Sequence, residues 1–134
     1  MKHCNTRLFW SILLPLVAMA KCAVAQSDSM TIVGTWLSLT DAKSKYVFGD
    51  ENYAKFYYNG ELLDTFIYHV TRTSPQCGVD QQDYLEKNPD TSILVLVSTK
   101  DNIKNCDLIA FSDSAAYITL YPFERTGAET FERQ

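Results

Sequence analysis

Hydrophobic residues alternate with polar ones at a period of two through most of the sequence after residue 31, and this alternation constrains the fold more than any other feature. Aromatic and β-branched residues are dense in the alternating segments, which is typical of β-strands. We therefore predict strands at about Ile32–Thr40, Lys45–Phe48, Tyr53–Tyr58, Glu61–Thr73, Ser92–Thr99, Cys106–Ser112, Tyr117–Tyr121 and Glu129–Arg133.

The segments between the predicted strands are short, and short connections favour antiparallel neighbours. Asn59-Gly60 is the strongest turn signal, because both residue types tolerate the positive φ of a type I′ hairpin. A single helix is expected at Asp80–Lys87, with Asp80 capping the amide of Asp83 and Asn88-Pro89 ending the helix.

A meander of eight strands must protect its two edges, and closing into a barrel removes them. We therefore expect an all-β fold: an antiparallel meander barrel of about eight strands with one short helix near residues 80–87. The interior of a barrel of this size is just wide enough to be filled by side chains or to hold one small ligand. The fold class does not decide between an interior filled by side chains and one that holds a ligand.

The first 25 residues have the pattern of a secretory signal. Lys2 and Arg7 give a positive start, residues 8–20 are largely apolar, and Ala23-Val24-Ala25 places small residues where a signal peptidase reads them. We predict a cleaved signal at 1–25, a flexible leader at 26–31, and a single domain at 32–134 that is secreted or periplasmic.

Cys22 gives an alternative to simple cleavage, because a cysteine just after the apolar segment marks lipid attachment in some exported bacterial proteins. Lys21 precedes it, and a bulky cation fits poorly at a position where a small residue is expected. Lipid anchoring through Cys22 is therefore the less favoured alternative. No segment outside the signal is long and apolar enough to span a bilayer.

The charge balance excludes one class of partner. Without residues 1–25 the chain has nine basic and sixteen acidic side chains, a formal charge of −7. Such a surface repels phosphate backbones, and no cluster of Lys and Arg interrupts it. We expect no nucleic-acid partner and no adhesion to anionic lipid.

Cys77 and Cys106 are the two cysteines outside the signal, and the chain is directed to an oxidising compartment. A disulfide between them closes a loop of about 30 residues, which stabilises by about 3.6 kcal/mol on the chain-entropy model. A metal pair or two free thiols are the alternatives. Neither cysteine has a second Cys or a His at ligand spacing, so we predict the disulfide.

Two short motifs suggest a family. Val33-Gly34-Thr35-Trp36 lies in the first predicted strand, and Phe131-Glu132-Arg133 lies in the last. The first resembles the Gly-x-Trp signature of lipocalins and related calycin barrels, and the second resembles the terminal-strand arginine of that family. The resemblance implies that Trp36 closes one end of a barrel beneath Arg133, with Arg125 as the second candidate for that contact. The mature length is similar to that of small exported lipocalin-like proteins of bacteria.

The densest chemical feature is a run of aromatic residues on the second to fourth predicted strands. Ligand pockets are mostly apolar with a few oriented polar groups, and tyrosine offers both. The predicted ligand-binding residues are Tyr53, Tyr57, Tyr58 and Tyr68. The alternative is that these rings only fill a core, because aromatics are favoured in strands.

Catalytic motifs are missing from the sequence. His69 is the only histidine beyond the signal, and a lone histidine lacks the partners that general-base or metal chemistry requires. Asp80, Asp83 and Glu86 fit a solvated helix start better than a calcium loop. We expect no enzyme activity, no cofactor and no metal.

Two function classes remain. The first is non-covalent binding of a small hydrophobic or amphipathic ligand inside the barrel. The second is an interaction or inhibitor module that uses loops and exposed aromatic residues against a protein partner while its barrel is filled. The volume inside the barrel distinguishes them.

Overall fold

Eight antiparallel strands, each paired with its neighbours in chain order, close into a barrel in the computed structural model, which describes residues 32–134. The strands are β1 (Gly34–Ser38), β2 (Ser44–Phe48), β3 (Tyr53–Tyr58), β4 (Glu61–Thr71), β5 (Thr91–Ser98), β6 (Lys104–Phe111), β7 (Tyr117–Pro122) and β8 (Glu129–Arg133). β1 pairs with β8, with Trp36 opposite Arg133 and Ser38 opposite Phe131. This pairing joins the two ends of the meander, so the all-β barrel expected from the sequence is confirmed.

The connection between β3 and β4 is the hairpin that the sequence predicts. Asn59 has a φ of 51° and Gly60 a φ of 82°, so both central residues occupy the positive-φ region that a type I′ turn needs. The Asn59 amide also donates to the carbonyl of Lys43 at 3.0 Å, which links this hairpin to the β1–β2 loop.

The one named helix of residues 34–133 is α1 (Gln82–Lys87), two residues shorter at its start than predicted. Gln81 occupies the N-cap position and no side chain caps the helix. The predicted cap between Asp80 and the amide of Asp83 is wrong, because Asp80 lies one residue before the cap position. Its carboxylate instead accepts a hydrogen bond from the Gln82 amide at 2.9 Å.

Buried side chains form two layers. The inner layer fills the barrel and is built mainly from large apolar residues: Ile32, Trp36, Phe48, Ala54, Phe66, Tyr68, Leu94, Leu96, Ile109, Ile118, Leu120 and Phe131. The outer layer lies between the wall of the barrel and α1 and contains Leu85, Ile93, Val95, Cys106 and Leu108. β5 contributes to both layers, and this explains why its sequence is apolar on both faces.

The predicted disulfide is present. Cys77 and Cys106 are joined by an S–S bond of 2.04 Å, which ties the loop before α1 to β6. Within residues 32–134 no helix is long and apolar enough to cross a bilayer. The predicted signal at 1–25, the leader at 26–31 and Cys22 lie outside the described residues.

Candidate ligand-binding cavity

One end of the barrel is closed by Trp36. Its side chain is fully buried, and the indole Nε1–H donates to the carbonyl of Ile32 at 2.7 Å. The guanidinium of Arg133 lies 4.3 Å from the centre of the indole ring, close enough for a cation–π contact. The same guanidinium donates to the carbonyls of Val33 at 2.8 Å and Ala115 at 3.0 Å, so it also anchors the chain on both sides of this end.

Gly34 makes this close packing possible. A Cβ at position 34 would lie 2.9 Å from Nη1 of Arg133, and the φ of Gly34 is +141°, a conformation that L side chains rarely adopt. The structure therefore places Gly34, Trp36 and Arg133 together as the sequence motifs predict. Arg125 lies elsewhere, beside a cavity at the opposite end of the barrel.

Aromatic rings fill the barrel from the closed end to its middle. The ring of Tyr68 packs edge-on against Phe48, with 5.0 Å between ring centres. Phe48 stacks on Tyr46 at 5.4 Å, and Tyr46 also contacts Phe56 at 4.8 Å and Phe131 at 5.5 Å. The packed part of the interior therefore ends at Tyr46.

Beyond Tyr46 the barrel contains an open cavity of about 390 Å³, which we call the mouth cavity. Its floor is apolar where Leu120 and Phe131 line it. Its rim is formed by the connection between β7 and β8. The full lining consists of Thr40, Tyr46, Asp107, Leu120, Pro122, Arg125, Thr126, Gly127, Ala128, Glu129 and Phe131.

Asp107 is the most perturbed acid of the cavity. It lies on β6, opposite the buried Leu94 of β5 and opposite Pro122 of β7, so its side chain faces the interior. Burial raises the pKa of its carboxyl from 3.8 to about 6, although the positive charge of Arg125 opposes this shift. Among residues 32–134 no group donates a hydrogen bond to this carboxylate or forms an ion pair with it.

The hydroxyl of Tyr46 is the second polar group without a partner. Burial is the main cause that raises its pKa, followed by the negative charges of Asp107 and Glu129. Tyr46 lines the mouth cavity, and its hydroxyl makes no hydrogen bond to any residue that the structure describes. Tyr46 is half-buried, and a hydroxyl without a protein partner that lines a cavity is available to a ligand.

Two further carboxylates lie at this end of the barrel, and both accept hydrogen bonds from serine hydroxyls. Glu129 accepts a hydrogen bond from the hydroxyl of Ser38 at 2.6 Å. Asp64 accepts hydrogen bonds from the hydroxyl of Ser98 at 3.0 and 3.1 Å. These carboxylates contribute negative charge near the cavity while their oxygens are partly satisfied by the protein.

None of the four tyrosines predicted to bind ligand lines the mouth cavity, and three of them lie on the outside of the barrel. Tyr53 is on the outer face of β3 and is 51% exposed, and Tyr58 is 40% exposed beside the β3–β4 turn. Tyr57 is half-buried on the outside, where the Lys45 ammonium lies 4.7 Å from its ring centre. It lines a separate outer recess of about 260 Å³, together with Lys43 and other residues.

Tyr68 is the one predicted tyrosine that points into the barrel. It is 1% exposed, and its hydroxyl donates to the carbonyl of Gly49 at 2.6 Å. Its ring packs against Phe48 in the filled part of the interior, so the structure does not bring it together with the other three tyrosines. His69, the next residue, is exposed on the outer surface.

The sequence contains a signal for Asp107 that the prediction missed. Asp107 shares a strand face with Ile109 and Phe111, at a period of two. A charged residue in phase with an apolar face is either a partnered core residue or a functional one. Arg125 and the rim residues gave no comparable signal, because the β7–β8 connection lacks periodicity.

No family model matches the chain, and no curated protein and no solved structure matches it either. Within the part of the chain that the structure describes, no group of three or more His, Cys, Asp or Glu side chains is arranged to hold a metal ion. The closed eight-stranded barrel is compatible with a lipocalin-like fold.

Proposed function

We propose that this chain is an exported, non-enzymatic, lipocalin-like protein that binds a small hydrophobic or amphipathic molecule in its mouth cavity. The observation that supports this most is the cavity itself, which combines an apolar floor with two inward polar groups that have no partner among residues 32–134. Ligand pockets likewise combine apolar surface with polar groups that orient the bound molecule.

The size of the cavity suits one small ligand. Its volume of about 390 Å³ lies near the lower end of the range for small-molecule sites, roughly 300–1,000 Å³. An amphipathic ligand fits better than a wholly apolar one. A wholly apolar ligand would cover Asp107 and the Tyr46 hydroxyl without bonding them, at a cost of about 1–3 kcal/mol for each buried polar group.

The contact of Arg133 with Trp36 and the glycine at position 34 support a lipocalin-like family, because these three residues carry the sequence resemblance and lie together at the closed end.

The disulfide supports export, because such bonds persist in oxidising compartments. The N-terminal residue of the protein recovered from outside the cytoplasm tests export. Gln26 is expected, whereas a lipid-modified Cys22 would replace simple cleavage with anchoring.

Binding is tested with a neutral fluorescent probe, N-phenyl-1-naphthylamine, whose emission rises in apolar surroundings. We expect saturable binding to the intact protein at micromolar concentration. Ala128→Trp should weaken that binding at least 10-fold, because Ala128 lies on the exposed rim and a Trp there narrows the entrance.

Ala42→Trp is the matched control. Ala42 is also exposed and lies on the β1–β2 loop at the same end of the barrel, but it lines the outer recess rather than the mouth cavity. Its substitution adds the same ring and should leave probe binding unchanged. Absence of saturable binding, or equal loss in both variants, would show that the mouth cavity is not the binding site.

A second candidate is a protein-interaction or inhibitor module. The specific observation in its favour is an exposed apolar pair on the outer wall: Tyr53 of β3 is 51% exposed and its cross-strand partner Ile67 of β4 is 49% exposed. This candidate gains support if the cavity binds no probe and if Tyr53→Ser with Ile67→Ser abolishes a stoichiometric complex while preserving the fold.

A further inference from the structure

Charge around the mouth cavity is predominantly negative. Asp107, Glu129 and Asp64 each raise the pKa of the Tyr46 hydroxyl through their charge, whereas only Arg125 lowers it. The charges of three carboxylates and one guanidinium therefore act on the Tyr46 hydroxyl. This hydroxyl lies where the packed interior ends and the cavity begins. Electrostatic interactions are stronger in such a partly enclosed site than in bulk water.

The protein leaves part of this negative charge unpaired. Glu129 and Asp64 are held by the hydroxyls of Ser38 and Ser98, but Asp107 receives no hydrogen bond from residues 32–134. The Tyr46 hydroxyl also has no partner in that range. A carboxylate accepts hydrogen bonds and a phenol both accepts and donates, so one ligand group with several N–H donors satisfies both.

Arg125 does not neutralise Asp107. Arg125 is exposed on the connection between β7 and β8, and no ion pair joins it to Asp107 in the described part of the chain. The positive charge of Arg125 lowers the pKa of Asp107, but burial raises that pKa by more. An anionic ligand would gain from Arg125 but would meet the carboxylates deeper in the cavity.

We propose that the ligand of the mouth cavity is a small organic amine in its protonated form, with its ammonium group bound by Asp107 and the Tyr46 hydroxyl and its apolar body on Leu120 and Phe131. This inference rests on the proposed function and specifies the ligand class. Tyr46 and Phe131 both line the cavity, and aromatic rings attract cations.

Three probes that share one apolar body and differ in charge test this inference: 2-phenylethylamine, 2-phenylethanol and phenylacetate. Each is measured by calorimetry at pH 8 and by displacement of N-phenyl-1-naphthylamine. The amine should bind at least 10-fold more tightly than the alcohol, and phenylacetate should bind most weakly. Asp107→Asn should remove the preference for the amine over the alcohol.

The control is Asp113→Asn, which removes one acidic residue from the exposed β6–β7 turn at the closed end of the barrel. It should leave all three affinities unchanged. If the amine bound only because the protein is acidic, Asp113→Asn would weaken its binding as much as Asp107→Asn does. The control therefore separates binding by Asp107 from a general attraction of cations to the protein.

The pH dependence gives an independent readout. An alkylammonium stays protonated up to about pH 9, because its pKa lies near the lysine value of about 10.4. Affinity for the amine should therefore rise from pH 5 to pH 8 as Asp107 loses its proton, and it should be nearly flat in Asp107→Asn. Arg125 acts on Asp107 directly, and Glu129, Asp64 and Arg125 act with Asp107 on the Tyr46 hydroxyl; all of these groups remain in that variant.

Two failures are distinguishable. If the naphthyl probe binds but the alcohol or phenylacetate equals the amine, selection of an amine is wrong and ligand binding by the cavity stands. If neither the naphthyl probe nor any of the three compounds binds, the proposed function fails and the amine inference fails with it.

Discussion

Gly34 and Arg133 act as one unit, because the guanidinium occupies the space that any side chain at position 34 would need. The resulting contact places a charged group over the buried Trp36 while its N–H groups bond to backbone carbonyls. Arg133 is half-buried, and these hydrogen bonds replace part of the hydration that its guanidinium loses. The closed end of the barrel therefore depends on residues of two strands that are far apart in the sequence, Gly34 and Trp36 of β1 and Arg133 of β8.

Arg133→Met should lower the free energy of unfolding by about 2–4 kcal/mol, because it removes the cation–π contact and the charged hydrogen bonds to Val33 and Ala115. Arg125→Met is the matched control and should change stability by less than about 1 kcal/mol, since Arg125 is exposed on a loop. Urea unfolding measures both. Equal losses would contradict the assignment of Arg133 to the closed end.

Asp107 should lower stability at neutral pH. Its pKa is about 6 in the folded protein and 3.8, the ordinary value of an Asp carboxyl, in the unfolded chain, so the folded state binds more protons between these values. Stability should then fall as the pH rises from about 4 to about 7. Asp107→Asn should be more stable than the native chain by about 1–3 kcal/mol at pH 8.

This gain should vanish near pH 3.5, where the native carboxyl is protonated and resembles the amide. Thermal unfolding at pH 3.5 and pH 8 measures the difference, with Asp113→Asn as the control that shows no gain at either pH. A gain of equal size at both values would mean that packing rather than ionisation is responsible. A carboxylate that costs stability in the free protein is typical of a binding site.

At the level of the strands, the sequence predicted every element and left open which strand faces point inward. β3 illustrates the limit: Tyr53 and Tyr57 share one face, and Ala54 and Phe56 share the other. Aromatic content favours neither face. The structure packs Ala54 and its cross-strand neighbour Phe66 inside, whereas Tyr53 and its neighbour Ile67 are exposed. The closure of the barrel decides which face is inside, and the sequence of one strand does not contain that information.

The candidate site was harder to predict than the fold for a related reason. Its residues come from β2, β6, β7, β8 and two loops, and they meet only because the barrel closes between β1 and β8. A period of two identifies a strand from residues near in sequence, whereas a cavity depends on residues from opposite sides of the molecule. The disulfide was predictable because residues 26–134 contain only one pair of cysteines.

The disulfide fastens the segment before α1 to the outer wall of the barrel at β6. Replacing both Cys77 and Cys106 by Ala should lower the free energy of unfolding by about 3 kcal/mol, because the unfolded chain gains the freedom of a loop of about 30 residues. Urea unfolding measures the loss, and reduction of the native protein should reproduce it. Mass spectrometry of a non-reducing digest should find Cys77 and Cys106 in one linked pair; free thiols at both positions would contradict the bond.

Closure of the whole molecule depends on β8, a strand of five residues that pairs with β1 on one side and β7 on the other. It supplies Phe131 to the core and Arg133 to the closed end, and Glu129 to the mouth. Without it, β1 and β7 become exposed edges and Trp36 loses its cover. β8 therefore contributes to the structure of both the closed end and the mouth of the barrel.

Deletion of residues 129–134 should abolish cooperative unfolding rather than lower stability by a fixed amount, because the meander can no longer close. Near-ultraviolet circular dichroism and urea unfolding measure the effect, and we expect loss of the aromatic signal and of the sigmoidal transition. Deletion of Gln134 alone is the control. It removes only one backbone hydrogen bond, to Thr35, at the end of the chain, so the transition should persist. A sharp transition in the longer deletion would show that seven strands fold independently of barrel closure.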